Sequence, residues 1–83
     1  MSFRVDWLVT AEQELTELWL AAIDRQDIAN VANSIDRELS IDPESAGESR
    51  YGDLRILLKK PLGVFFSVDI EQRRVAINHV WRY

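Results

Sequence analysis

Hydrophobic and polar positions along the chain follow two rhythms. Phe3, Val5, Trp7 and Val9 alternate with Arg4, Asp6 and Leu8, the period of two that marks a half-buried strand. From Thr10 the period lengthens, with Leu15, Leu18, Trp19 and Ala22 at helical spacing. Thr10 and Gln13 stand where a capping box would place them, and Glu12 and Glu14 suit the positive end of the helix dipole. The run Ile23-Asp24-Arg25-Gln26-Asp27 interrupts the stripe. Asp24 fits a second N-cap, after which Ile28, Val31, Ala32, Ile35 and Leu39 form another apolar stripe. The pattern predicts a strand followed by a short helical hairpin.

Residues 42–53 are rich in turn formers and lack either period, so they read as a surface loop carrying Arg50 and Tyr51. Three strands are predicted after it. Leu54, Ile56 and Leu58 alternate with Arg55, Leu57 and Lys59; Lys60-Pro61-Leu62-Gly63 punctuates before Val64–Ile70; and Arg74 to Tyr83 places Val75, Ile77, His79 and Trp81 opposite Ala76, Asn78, Val80 and Arg82. The order β-α-α-β-β-β predicts an α+β fold, a single domain over residues 1–83. Its antiparallel sheet would carry a two-helix hairpin on one face, with the first strand returning to the sheet. The three tryptophans, Trp7, Trp19 and Trp81, read as core, with the border of a binding groove as the alternative for Trp81. The uncovered face is expected to present carboxy-terminal basic residues.

Charge sharpens that expectation. Residues 1–49 hold three basic and eleven acidic residues, a net of −8, and residues 50–83 hold seven basic and three acidic, a net of +4; the total of −4 hides a dipole. One segment is thereby suited to an anionic surface. The absence of cysteine rules out a disulfide framework or thiolate metal site, and one histidine argues against zinc. No metal, cofactor or small-molecule substrate is expected. No stretch approaches the roughly 20 apolar residues of a membrane span, so a cytoplasmic protein without a membrane partner is the expectation.

Several segments resemble the RelE/ParE toxins of type II toxin–antitoxin modules. They are the β-α-α-β-β-β order, Ile35-Asp36-Arg37-Glu38-Leu39 with Asp42-Pro43, Gly47-Glu48-Ser49-Arg50, Leu54-Arg55-Ile56-Leu57, Pro61-Leu62-Gly63-Val64-Phe65-Phe66-Ser67-Val68 and the closing His79-Val80-Trp81-Arg82-Tyr83. The resemblance implies a growth-inhibiting toxin neutralised by a cognate antitoxin protein. Its target would be the ribosome with its messenger RNA, cut by an endoribonuclease, or DNA gyrase, inhibited in the ParE manner without catalysis. A member that only binds its antitoxin is a further alternative.

Cleavage of RNA by its own 2′-hydroxyl needs a base, a proton donor for the leaving oxygen and cations for the charge on phosphorus. The positions matching the family's nucleases are Arg55 and Lys59 on one strand and Arg82-Tyr83 at the terminus. Arg82 would neutralise phosphate bidentately and Tyr83 would stack on a base or hydrogen-bond the phosphate. His79 is the remaining candidate, since its ordinary pKa lies near 6.5. Each also has a plain reading: solubilising charge for Arg55 and Lys59, a packed or edge histidine for His79, a frayed end for Arg82 and Tyr83. The chain departs from the nuclease pattern at Pro61-Leu62-Gly63, where the nucleases carry an arginine, and in its acidic pI near 4.8.

Overall fold

The structure is a computed structural model that describes residues 2–83. Its elements are β1 (Arg4–Trp7), α1 (Val9–Ala21), α2 (Arg25–Ile41), α3 (Pro43–Ala46), β2 (Glu48–Tyr51), β3 (Leu54–Lys59), β4 (Leu62–Asp69) and β5 (Arg74–Arg82). The strands make one five-stranded sheet in the order β1-β5-β4-β3-β2. The α+β class and the helical hairpin against one sheet face are as the pattern predicts. Two details differ. β1 does return to the sheet, but it pairs parallel to β5, so the sheet is mixed; the long helical crossover permits that orientation, which a tight turn could not. The segment 42–53 is also no irregular loop. It holds α3 and then β2, which pairs antiparallel with β3 and forms an exposed edge. Gly47 makes that pairing possible, because a Cβ there would collide with the Ile56 carbonyl oxygen.

The core lies between the helices and the sheet. Ile28, Ala32, Ile35 and Leu39 of α2 are buried, meeting Leu62, Val64, Phe66, Val75 and Ile77 from the two central strands. Full burial of each large apolar side chain contributes about 1.5–3 kcal/mol, so this α2 stripe is the main attachment of the helical layer. α1 buries only Ala11 completely, while Leu15, Leu18 and Ala22 pack as partly buried neighbours. Trp19 is not core. It is 40 % exposed, and the Arg25 guanidinium lies 4.7 Å from its ring centroid. That guanidinium also donates to the Trp19 and Leu20 carbonyls at 3.1 and 2.9 Å, satisfying groups at the end of α1 and pinning the hairpin.

The start of α1 also has a tertiary origin. Thr10 does not cap α1; Leu8 holds that position with no side-chain cap bond. The Leu8 N–H donates to Ile77 O at 3.0 Å, so strand pairing runs up to the first helical turn and fixes where it begins. Asp24 does stand at the N-cap of α2, but its carboxylate makes no cap bond. No helix among the described residues is long and apolar enough to cross a membrane.

Candidate functional site

Sheet register decides which side chains share a face, because residues opposite one another on neighbouring strands point the same way. Three rows face the helices: Arg55, Phe66 and Ile77; Leu57, Val64 and Val80; and Lys59, Leu62 and Arg82. The uncovered face carries Ile56, Phe65 and His79; Leu58, Gly63 and Trp81; and Leu54, Ser67 and Ala76. The expectation that basic residues populate the uncovered face is therefore corrected. Arg55, Lys59 and Arg82 lie on the helix side, and the uncovered face is apolar at its centre.

A β-bulge is the physical reason at β5. Phe66 opposes Ile77 while Phe65 opposes His79, leaving Asn78 as the extra residue. Beyond it the alternation slips by one, so Val80 enters the core, Arg82 follows it to the helix side, and Trp81 turns outward. On β3 the reason is the partner strand: Val64 and Phe66 must be buried, and their register brings Leu57 and Arg55 in with them.

Each basic or titratable candidate on the strands is met by a group from the amino-terminal half or the α3 turn. Lys59 Nζ lies 2.8 Å from Glu38 Oε1 of α2. The Arg82 guanidinium grips both Asp24 carboxylate oxygens at 2.9 Å, a fork-to-fork pair. That hydrogen bonding holds the Asp24 carboxyl below the usual carboxylate range and pushes Arg82 up. Arg55 Nη2 donates to the Glu44 and Gly47 carbonyls, both at 2.6 Å, tying the turn after α3 to β3. Its Nε is buried without a partner. His79 Nδ1 is 3.3 Å from Glu14 Oε1, and the same oxygen accepts from the Val80 N–H at 3.1 Å. Glu14 thus covers a backbone donor where β5 has run past the end of β1 and become an edge. The sequence dipole resolves into ion pairs between the layers.

Tyr83 is no loose end. Its N–H donates to Pro61 O at 2.9 Å, and Lys60 Nζ lies 5.8 Å from its ring centroid. Lys59, Arg82 and Tyr83 are therefore gathered at one end of the sheet; His79 stands on the opposite face, and Arg55 lies two rows inward, at α3.

Trp81 packs closely at one end of the uncovered face. A Cβ placed on Gly63 would lie 2.6 Å from two atoms of the Trp81 indole and 2.9 Å from Leu58 Cδ2. The indole lies directly on the glycine, with the Phe65 ring centroid 4.9 Å from its own and tilted by 50°. Leu58 beside it is 54 % exposed. Ile56, Leu58 and Phe65 are not candidates on sequence grounds, and Trp81 is one only as the alternative to a core residue. The signal that could have found them is the small polar Asn78 within an apolar strand, a bulge marker, together with a glycine in β4 opposite an aromatic.

No family model and no curated protein matches the sequence. Solved structures do. A chain of the RelBE2 toxin–antitoxin complex from Mycobacterium tuberculosis superposes with a TM-score of 0.83 at 19 % identity, covering 100 % of each chain. The chromosomal ParDE system of P. aeruginosa gives 0.66 at 18 % identity, over 96 % of this chain and 95 % of that one. The E. coli toxin RelE in its free state gives 0.72 at 17 %, over 99 % of this chain and 84 % of that one. From its first strand to its last, this chain is built on the fold of the RelE and ParE toxin–antitoxin structures.

Proposed function

We propose that the chain is the toxin half of a type II toxin–antitoxin pair, held by a cognate antitoxin protein, and that it acts by binding its target and not by cleaving RNA. The shared fold over the full length supports the toxin assignment. The non-catalytic reading rests on one observation: the cations suited to a phosphodiester, Arg55, Lys59 and Arg82, lie on the helix side of the sheet and are already engaged by carbonyls, Glu38 and Asp24. Electrostatic catalysis on phosphorus needs donors aimed at the reacting group and not committed elsewhere. The sheet face open to a scissile phosphate presents Ile56, Leu58, Phe65 and Trp81, with His79 toward its edge beside Glu14. A non-enzymatic inhibitor of a large machine such as DNA gyrase fits this surface, with the ribosome as the competing target.

Expression in a bacterial host tests the reading. Growth arrest is expected, relieved by co-expression of the adjacent small open reading frame. Replacing both Arg82 and Tyr83 by Ala should leave arrest intact, and the 5′ ends of cellular messages should show no new cuts. New cuts that vanish in the double variant would restore the ribosome-dependent nuclease.

A further inference from the structure

We propose that the uncovered sheet face receives an extended segment of the antitoxin that carries a lysine or arginine at one end and an apolar anchor four positions along; the inference rests on the toxin reading above. The face has two unlike ends. At one, Trp81 is seated on Gly63 and braced by Phe65 and Leu58, a rigid aromatic platform of the kind that anchors interfaces. At the other, Asp6, Asp53, Asp69 and Glu71 line a depression floored by Ser67 and Ala76.

Two of those carboxylates are used internally. Asp6 pairs with Arg4 at 3.0 Å, and Asp69 accepts from the Gln72 N–H at 3.1 Å. Asp53 and Glu71 have no ion-pair partner among the described residues. Arg74, the cation lining the depression, leaves it net negative. A cationic side chain complements it, and the chain's total of −4 favours the approach of a basic partner at long range.

The spacing sets the motif. Ser67 beside the depression and Gly63 beneath Trp81 are four residues apart on β4, roughly 13 Å at the rise of an extended strand. An extended segment laid along β4 has the same rise, so its positions i and i+4 face the sheet together and reach both ends.

The test uses the purified full chain with the protein encoded by the adjacent small reading frame, comparing free and bound states by hydroxyl-radical and carboxyl footprinting. Protection is expected at Trp81, Phe65, Asp53 and Glu71, with Trp19 on the far helical layer unchanged. Asp53→Lys with Glu71→Lys, both on exposed turns away from the core, should weaken the complex about tenfold or more. A complex that protects Trp19 and not Trp81, or that tolerates the charge reversal, overturns the inference and leaves the toxin reading standing. Absence of any complex overturns both. A dimer of the chain alone carrying the Trp81 footprint would assign the face to a second copy and overturn it as well.

Discussion

Replacing Gly63 by alanine asks whether the Trp81 seat exists, because the two possible answers differ in sign. Gly63 is buried in β4, and the glycine with a left-handed φ is Gly52, so alanine meets no backbone strain at 63. On backbone grounds alone Gly63→Ala should stabilise the protein by about 0.4–1 kcal/mol, because the unfolded chain loses freedom. The structure places two indole atoms 2.6 Å and a leucine methyl 2.9 Å from the new Cβ, closer than side-chain carbons approach. Overpacking of this kind costs about 1–3 kcal/mol, and the indole can escape only by leaving Phe65. The net expectation is destabilisation of about 1–2 kcal/mol, or a Tm lower by about 4–16 °C for a domain of this size. Thermal and urea unfolding of the wild type, Gly63→Ala, Trp81→Ala and the double variant complete a cycle. With Trp81 removed, Gly63→Ala should turn stabilising. A higher Tm for Gly63→Ala in the wild-type background, or the same effect with and without Trp81, refutes the seat.

Other expectations follow from the layer contacts. Arg55→Met removes the donors to the Glu44 and Gly47 carbonyls and should cost about 1.5–3 kcal/mol in urea unfolding, with fastest amide exchange between residues 43 and 51. Glu14→Ala uncovers the Val80 N–H and should cost about 1 kcal/mol and speed its exchange, whereas Glu14→Gln keeps an acceptor and should leave both nearly unchanged. Asp24 has its folded pKa held below the unfolded value near 3.9, so its contribution is present above that value and lost as pH falls through the lower folded one. The Tm difference between wild type and Asp24→Asn should therefore shrink as pH drops from 5 toward 3, and a difference constant over that window would exclude the pair as its source.

Much of the architecture is written in periodicity. The α2 stripe of Ile28, Ala32, Ile35 and Leu39 is buried as its spacing predicts, and β3 has the predicted bounds, because apolar side chains at those intervals have one way to leave water together. The site was far less legible, for two reasons. The alternation of β5 looks regular in the sequence, yet Asn78 bulges and reverses every assignment after it, so Trp81, read as core, faces outward, and Arg82 reaches Asp24. β3 carries plausible apolar residues on both of its faces, and only pairing with β4 selects Leu57 for burial over Ile56. The helix start at Leu8 was hidden for a related reason: a bond to Ile77, far along the chain, sets it, where local capping would have chosen Thr10.

β5 follows every other described strand in the chain, yet it sits in the interior of the sheet, with β1 on one side and β4 on the other. A chain still emerging from the ribosome therefore holds an amino-terminal strand without its neighbour and helices whose acidic groups lack Lys59, His79 and Arg82. β5 must therefore be made before the sheet can close, and a fragment stopping ahead of Arg74 would leave β1 and β4 without the strand that joins them.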